Sequence, residues 1–271
     1  MRGTSQSSLE AAQARLAPVL AAAGEQAYTI GDQMFAVVDA LDASGALRRS
    51  LADPSRPAAD KSGLVRNLLS SAFDPKTVDA LADLVADRWS HEADLVDAVD
   101  ILGIDAYLAS AEARGALEKV EHELFQITRG LVGHPEVRQA LSDSSTDPAR
   151  RVALVDDLFG GKADPVTLAI CRRATAKPRG ERFVPALGRV GEIAAKRRSR
   201  TVASVTSGSE LSAAQQDRLA ALLESAYGTA VQLNVTVDPA VVGGLRIQIG
   251  SDVLDSTVLS RLAAARRQLA S

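Results

Sequence analysis

The stretch "RRSLADPSRPAADKSGLVRNLLSSAFDPKT" (48–77) returns ninety positions later as "RQALSDSSTDPARRVALVDDLFGGKADPVT" (138–167), and that return decides the architecture. Extended without a gap to residues 31–81 against 121–171, the comparison holds thirteen identities in fifty-one positions, above what composition supplies. They are Phe35/Phe125, Leu41/Leu131, Arg48/Arg138, Leu51/Leu141, Asp53/Asp143, Ser55/Ser145 and Ala59/Ala149, then Leu64/Leu154, Val65/Val155, Leu68/Leu158, Asp74/Asp164, Pro75/Pro165 and Thr77/Thr167.

Apolar spacing follows the identities. Leu117, Val120, Leu124, Ile127 and Leu131 recur at intervals of three and four, with Ala27, Ile30, Met34, Val37 and Leu41 at the matching places. That rhythm is one face of an amphipathic helix. Asp74-Pro75 and Asp164-Pro165 each open a helix, Asp as N-cap and Pro at the first helical position. Segments 60–70 and 150–159 predict short helices carrying Leu64, Val65 and Leu68, or Leu154, Val155 and Leu158. Past residue 85 the register drifts, and "LVDAV" (95–99) meets "FVPAL" (183–187) at an offset of eighty-eight. The expectation is two helical bundles in tandem, 1–104 and 105–199, each just large enough to bury a core.

After "KRRSR" (196–200) the pattern changes. "TVASVT" (201–206) reads as a strand, Ser212 and Gln215 form a capping box, and Leu219, Leu222 and Leu223 give the next helix its buried face, with Gly228 closing it. Val231, Leu233, Val235 and Val237 alternate with polar residues, as do Leu245, Ile247 and Ile249, the period of half-buried strands. Gly250-Ser251-Asp252 predicts a hairpin turn into Val253-Leu254, and Asp255 an N-cap for a last helix bearing Leu259, Leu262 and Leu269. The predicted class is mainly α: two tandem helical bundles followed by a small α+β domain, 200–271.

Composition agrees. Apolar residues make up 46% of the 271 but aromatics only 3%, so the cores must be aliphatic, and Ala and Leu favour helix. One cysteine, Cys171, excludes a disulfide framework. Net charge is −3, without the basic excess of a nucleic-acid binder. The opening "MRGTSQSSLEAAQ" lacks the apolar core of a signal peptide, and no apolar run is long enough to span a bilayer. The chain is expected in the cytoplasm, reaching a membrane only through a partner.

The tail carries a resemblance. "SVTSGSELS" (204–212) followed by "VDPAVVGGLRIQIGSDVLDSTVLSRL" (237–262) resembles the delta subunit of rotary ATP synthases, the family that includes the mitochondrial oligomycin-sensitivity-conferring protein. The family's pattern falls on Asp238, Pro239, Gly243, Gly244, Gly250, Asp255, Arg261 and Leu262, and "AYLASAEARGALEKVEHELF" (106–125) is similar to its opening helices. The likeness covers 106–271. Asp255-Ser256-Thr257 stands where the family usually has Asp-Gly-Ser, and residues 1–104 are an additional copy, a layout similar to actinobacterial delta subunits. The resemblance implies a stator subunit that joins the N-terminal segments of the alpha subunits, in the catalytic head, to the b-type helices of the peripheral stalk. It implies a place at the cytoplasmic face of the plasma membrane.

Catalytic motifs fail one by one. "DDLFGGKAD" (156–164) approaches a phosphate-binding loop, but Asp156 replaces its first Gly and Ala163 its hydroxyl, which predicts an exposed inter-helix turn. His122-Glu123 begins a zinc motif that ends at Gln126. His91 and His134 lack partners at ligand spacing, Cys171 reads as a small core residue, and neither metal nor cofactor is expected. The basic runs, with Arg172-Arg173 and Arg266-Arg267, have no interleaved aromatics, so a solvated face is favoured over nucleic acid. A helical regulatory or nucleic-acid-associated adaptor is the alternative. For a connector, the expected contact is a partner helix in an apolar groove between the helices near 107–116 and 165–174, touching Tyr107, Leu108, Ala111, Leu168 and Arg172. Asp79, Asp83, Asp87, Asp94, Asp97 and Asp100 are expected to form a solvated acidic face with which the additional copy braces the stalk helix rather than binding a second head segment, an inert, solubility-conferring duplication being the other reading.

Overall fold

The computed structural model describes residues 1, 3–227, 231–238, 241, 244–249 and 252–255. The chain folds as two compact units, Met1–Ala194 and Ala195–Ser271.

The first unit is helical: α1 (Thr4–Ala23), α2 (Ala27–Ala43), α3 (Gly45–Ala52), α4 (Ala58–Leu69), α5 (Pro75–Ala86) and α6 (Glu92–Ala113). There follow α7 (Leu117–Gly130), α8 (Pro135–Ser142), α9 (Pro148–Phe159), α10 (Pro165–Ala176) and α11 (Phe183–Thr201), the last running past the unit's border. Helices α2 to α5 start ninety positions before α7 to α10, and the local bonds repeat with them. Asp74 accepts from the Lys76 N–H at 2.8 Å and Asp164 from the Val166 N–H at 2.9 Å, each capping a helix with Pro in its first turn. The Asp74 N–H donates to Gln33 at 3.2 Å and the Asp164 N–H to Glu123 at 2.9 Å. Asp53 and Asp143 each accept from both the N–H and the hydroxyl of the serine two positions on.

One helix serves both copies. α6 closes the first set and opens the second, and it runs unbroken through the expected border at 104/105. Leu95, Val96, Ala98, Val99, Leu102, Ala106 and Ala109 enter a core with Leu9, Leu16, Leu20, Met34, Val38, Leu41, Leu81 and Leu84. Ile104, Tyr107, Leu108 and Ala111 enter a second core with Leu117, Val120, Leu124, Val155, Val166, Phe183 and Leu187. A helix apolar all round is what burial on opposite faces demands.

Three readings of single residues are corrected. α2 turns Val38 fully inward and leaves Val37 only part-buried. Leu68 is 53% exposed, because α4 buries the line Lys61, Val65, Leu69, and Leu68 lies off that line. The acidic stripe is only partly wet: Asp79 meets Arg66 at 3.0 Å, Asp87 meets Arg15, Asp94 accepts from Ser5 at 2.7 Å, and Asp97 and Asp100 face arginines.

In the second unit, β1 (Val202–Ser207) is followed by α12 (Ala213–Tyr227), β2 (Gln232–Val237), β3 (Leu245–Ile249) and β4 (Asp252–Asp255). The sheet order is β2-β1-β3-β4. β1 runs parallel to β2, through the α12 crossover, and antiparallel to β3, so Val205 sits opposite both Val235 and Ile247. β3 pairs antiparallel with β4, and Asp252, expected in the turn, already belongs to β4 opposite Ile249. Ser212 and Gln215 form the capping box: the Ser212 N–H donates to Gln215 Oε1 at 2.9 Å and the Gln215 N–H to Ser212 Oγ at 3.4 Å. Leu223 packs on Ala203, Val205, Val231, Ile247 and Ile249. Leu222, expected inside, is 63% exposed, while Leu219 and Leu223 turn to the sheet. Asp255, expected as a helix cap, ends β4 opposite Arg246. Gly228, the helix after Asp255, and Leu259, Leu262 and Leu269 with it lie outside the described residues, as do Arg266 and Arg267.

Candidate functional site

Tyr107 is the centre of the expected groove, and the structure puts it indoors. Its ring stacks on Tyr28 with centroids 4.6 Å apart and meets Phe35 edge-on at 5.0 Å. Its hydroxyl donates to the Asp32 carboxylate. Burial raises its pKa, and the Asp32 hydrogen bond raises it further. Two glycines allow this packing: a Cβ on Gly31 would lie 2.5 Å from Tyr107 Cδ1, and one on Gly103 3.0 Å from the Phe35 ring. Three of the chain's nine aromatics therefore meet where α2, from the first copy, crosses α6.

Leu108 and Ala111 are fully buried in the second core, so with Tyr107 they are core residues of this chain and offer no surface to a partner. This corrects that part of the expected groove: α6 is covered by its neighbours, and α2 takes the flank where a partner was expected. Leu168 is part-buried against the same core. Arg172 is exposed and pairs with Asp156 at 2.6 Å. The structure thus brings Tyr107, Leu108 and Ala111 together inside and leaves Leu168 and Arg172 towards the surface.

The tail residues are less fully described. The Asp238 N–H donates to the Ser207 carbonyl at 2.8 Å and its own carbonyl accepts from Val241 at 3.0 Å, which fixes the turn leaving β2. Gly244 has φ 87°, a left-handed backbone that explains glycine before β3. Pro239, Gly243, Gly250, Arg261 and Leu262 lie outside the described residues.

Sequence reasoning missed a polar clamp at the start of α10. Arg114 donates twice to Asp164, at 2.9 and 3.2 Å, while Glu123 accepts from the Asp164 N–H and, at 2.6 Å, from Thr167 Oγ1. Burial alone would lift the Asp164 carboxyl, but the Arg114 bonds and the Val166 N–H outweigh it and hold the pKa below the usual range. The match of Gln33 to Glu123 across the repeat was the available signal. Of the glycine-lysine run 156–164, residues 156–159 end α9 and 160–163 form the turn into α10, with Asp164 engaged as its cap. Cys171 is sealed in the second core, its thiol pushed up to about 12 by burial and by Glu123. Among the described residues no three His, Cys, Asp or Glu side chains gather as a metal site, and no helix is long and apolar enough to cross a membrane.

The described cavities are open clefts at helix seams. One of about 640 Å³ lies between α8 and the start of α11, by Arg138, Ser142 and Arg182. One of about 180 Å³ lies between α1 and α5, over Ala12, Leu16 and Ala80 with Asp79 and Asp83 at its rim.

These features define a tandem helical-repeat protein carrying a small α+β module. The model of the ATP synthase delta (OSCP) subunit family matches residues 105–269. The chain belongs to that family. It is 50% identical over its whole length to the ATP synthase subunit delta of Beutenbergia cavernae, which it also covers completely. The ATP synthase subunit delta of Kineococcus radiotolerans is 42% identical over 99% of this chain and 97% of its own, and that of Streptomyces avermitilis 38% identical over 99% and 98%. These relatives are matched through residues 1–104 as well, so the additional copy is shared with them. A chain of the Toxoplasma gondii mitochondrial ATP synthase hexamer matches 62% of this chain and 95% of its own length, at 22% identity and a TM-score of 0.31, a likeness too slight to carry weight.

Proposed function

We propose that this chain is the non-catalytic stator joint of a rotary proton-translocating ATP synthase. It links the N-terminal segments of the head's alpha subunits to the b-type helices of the peripheral stalk, and so keeps the head from turning with the rotor. It works at the cytoplasmic face of the membrane, held there through the complex. The observation that carries this reading is full-length likeness to proteins named ATP synthase subunit delta, at up to half of all positions.

The geometry supports it in two ways. Among the described residues, Arg114, Glu123, Asp164 and Thr167 are engaged in a structural clamp, and the lone thiol is sealed. The chain also offers two separate units, which suits a protein holding two partners, since linking two modest sites on one chain raises the effective local concentration of each. We assign the head contact to the helical unit and the stalk contact to the α+β unit. The additional copy stiffens the helical unit through the shared α6.

Titrating the intact protein with an alpha-subunit N-terminal segment, and separately with the C-terminal segment of a b-type stalk helix, tests the assignment. Both are expected to bind at about 10 μM or tighter, without competing. Failure of both segments at that concentration, or competition between them for one site, contradicts it.

A further inference from the structure

Between α10 and α11 the chain turns through Pro178-Arg179-Gly180-Glu181, and Arg179 there has φ 48°. It is the one non-glycine residue with positive φ among those described. Gly180 follows at φ 82°, and the Glu181 N–H donates to the Pro178 carbonyl at 2.8 Å, closing a turn of the type I′ kind. Glycine would adopt the first central position without strain; arginine does not. Such strain persists where the surroundings over-determine it.

Here the surroundings are carboxylates of the first copy. Arg179 reaches Asp97 at 2.9 Å, Asp42 at 3.3 Å and Asp100 at 3.9 Å, and its guanidinium also lies 3.5 Å from the Val96 carbonyl. Two more arginines close on the same face. Arg189 of α11 lies 3.6 Å from Asp100, and Arg173 of α10 lies 2.7 Å from Asp39 while its guanidinium caps the Phe35 ring at 4.6 Å. Across the seam the charges are sorted by origin: the acids sit on α2 or the first half of α6 and the bases on α10, α11 or the turn between them, where Arg189 also meets Glu181 of its own side at 3.2 Å. Asp100 is only 14% exposed, and burial pushes its carboxyl up although three arginines face it. A cavity of about 310 Å³ floored by Ile104, Ile170 and Val190 lies beneath the contact, so apolar packing is incomplete there.

We propose that this set is an ionic latch, with Arg179 as its bolt, that locks the α10–α11 turn onto α2 and α6 and makes the two helical copies move as one body. It loosens when salt screens it. Elsewhere the copies share α6 and meet through the aromatic cluster of Tyr28, Phe35 and Tyr107 with its Asp32 hydrogen bond, so the latch governs the free end of the seam. The latch belongs to the chain alone and does not depend on which partners it joins.

Amide hydrogen exchange on the intact protein tests it, read at the Glu181 N–H, bonded to the Pro178 carbonyl of the turn, and at the Ala186 N–H, bonded to the Arg182 carbonyl at the start of α11. The deciding variant is R179G. Were the turn shaped only by backbone preference, glycine would relieve the strain and exchange would slow or stay level. The latch predicts exchange about tenfold faster in R179G, because lost ion pairs outweigh the strain relieved. Raising NaCl to about 1 M should bring the same acceleration to the unaltered protein and add little to R179G. R172M, which removes the exposed pair between Arg172 of α10 and Asp156 of α9, serves as the control and should leave these amides unchanged. Exchange in R179G that is unchanged or slower, or no acceleration of the unaltered protein by salt, overturns the proposal. The salt arm needs no variant, so a poorly folding R179G leaves the test standing.

Discussion

At the residue scale, the repeat supplies its own controls. Asp74 and Asp164 cap equivalent helices, but Asp164 also holds Arg114 in a largely buried pair. Replacing Asp74 by Ala should cost about 1 kcal/mol, the usual worth of an N-cap. Replacing Asp164 by Ala should cost about 2–4 kcal/mol, since it strips the cap and leaves Arg114 facing an emptied site. Denaturant unfolding of both variants checks the order, and equal losses would show that the clamp adds nothing. The pH dependence has a definite sign. Asp164 has a folded pKa below its unfolded one, so its contribution is complete above the ordinary carboxylate value of about 3.9 and is lost as pH falls through the depressed folded value. The stability gap between the natural protein and D164N should therefore narrow below about pH 4. These caps were legible from Asp-Pro alone. Arg114 was not, because a partner fifty positions away leaves no local pattern.

At the scale of elements, the seam of α2 on α6 depends on two missing side chains. A methyl on Gly31 meets a Tyr107 ring fixed by Tyr28 and Asp32, so the ring has nowhere to turn. Gly31→Ala should thus destabilise by about 1–3 kcal/mol although alanine is the better helix former. Gly63, with open space about its Cβ, is the counterpart: Gly63→Ala should stabilise by a few tenths to about 1 kcal/mol. Thermal unfolding of both variants decides, and a stabilising Gly31→Ala would mean that the seam is looser than its geometry implies. The duplicated helices, their order and the strand alternation could all be read from spacing. What could not be read is that α6 belongs to both copies. Its apolar positions on one face mask those on the other, and the offset slips from ninety to eighty-eight beside it. That double burial is why Tyr107, Leu108 and Ala111, well spaced for a groove, lie in the core. Leu68 and Leu222 misled for a related reason: each helix buries only the stripe that meets its own neighbours, and apolar residues off that stripe stay outside.

At the scale of the whole molecule, sharing α6 has a consequence for any dissection. A chain begun at residue 105 cuts α6 in two and removes Tyr28 and Phe35 from Tyr107. It should lose cooperative unfolding, whereas residues 1–194 together should keep it; calorimetry on the two fragments tells them apart. The family pattern in the tail was recognisable because it rests on turn residues, whose backbone demands are local. The seams of the helical unit rest on contacts between distant residues, and only the fold reveals them. On the proposed reading, the two-copy helical unit and the α+β module that follows it form a joint that carries load from one partner to another. The most direct measurement of that role is ATP-driven proton pumping by synthase stripped of this subunit and returned to vesicles. Hydrolysis should continue while pumping is lost, and adding back the purified protein should restore it. Normal pumping in its absence would contradict the account.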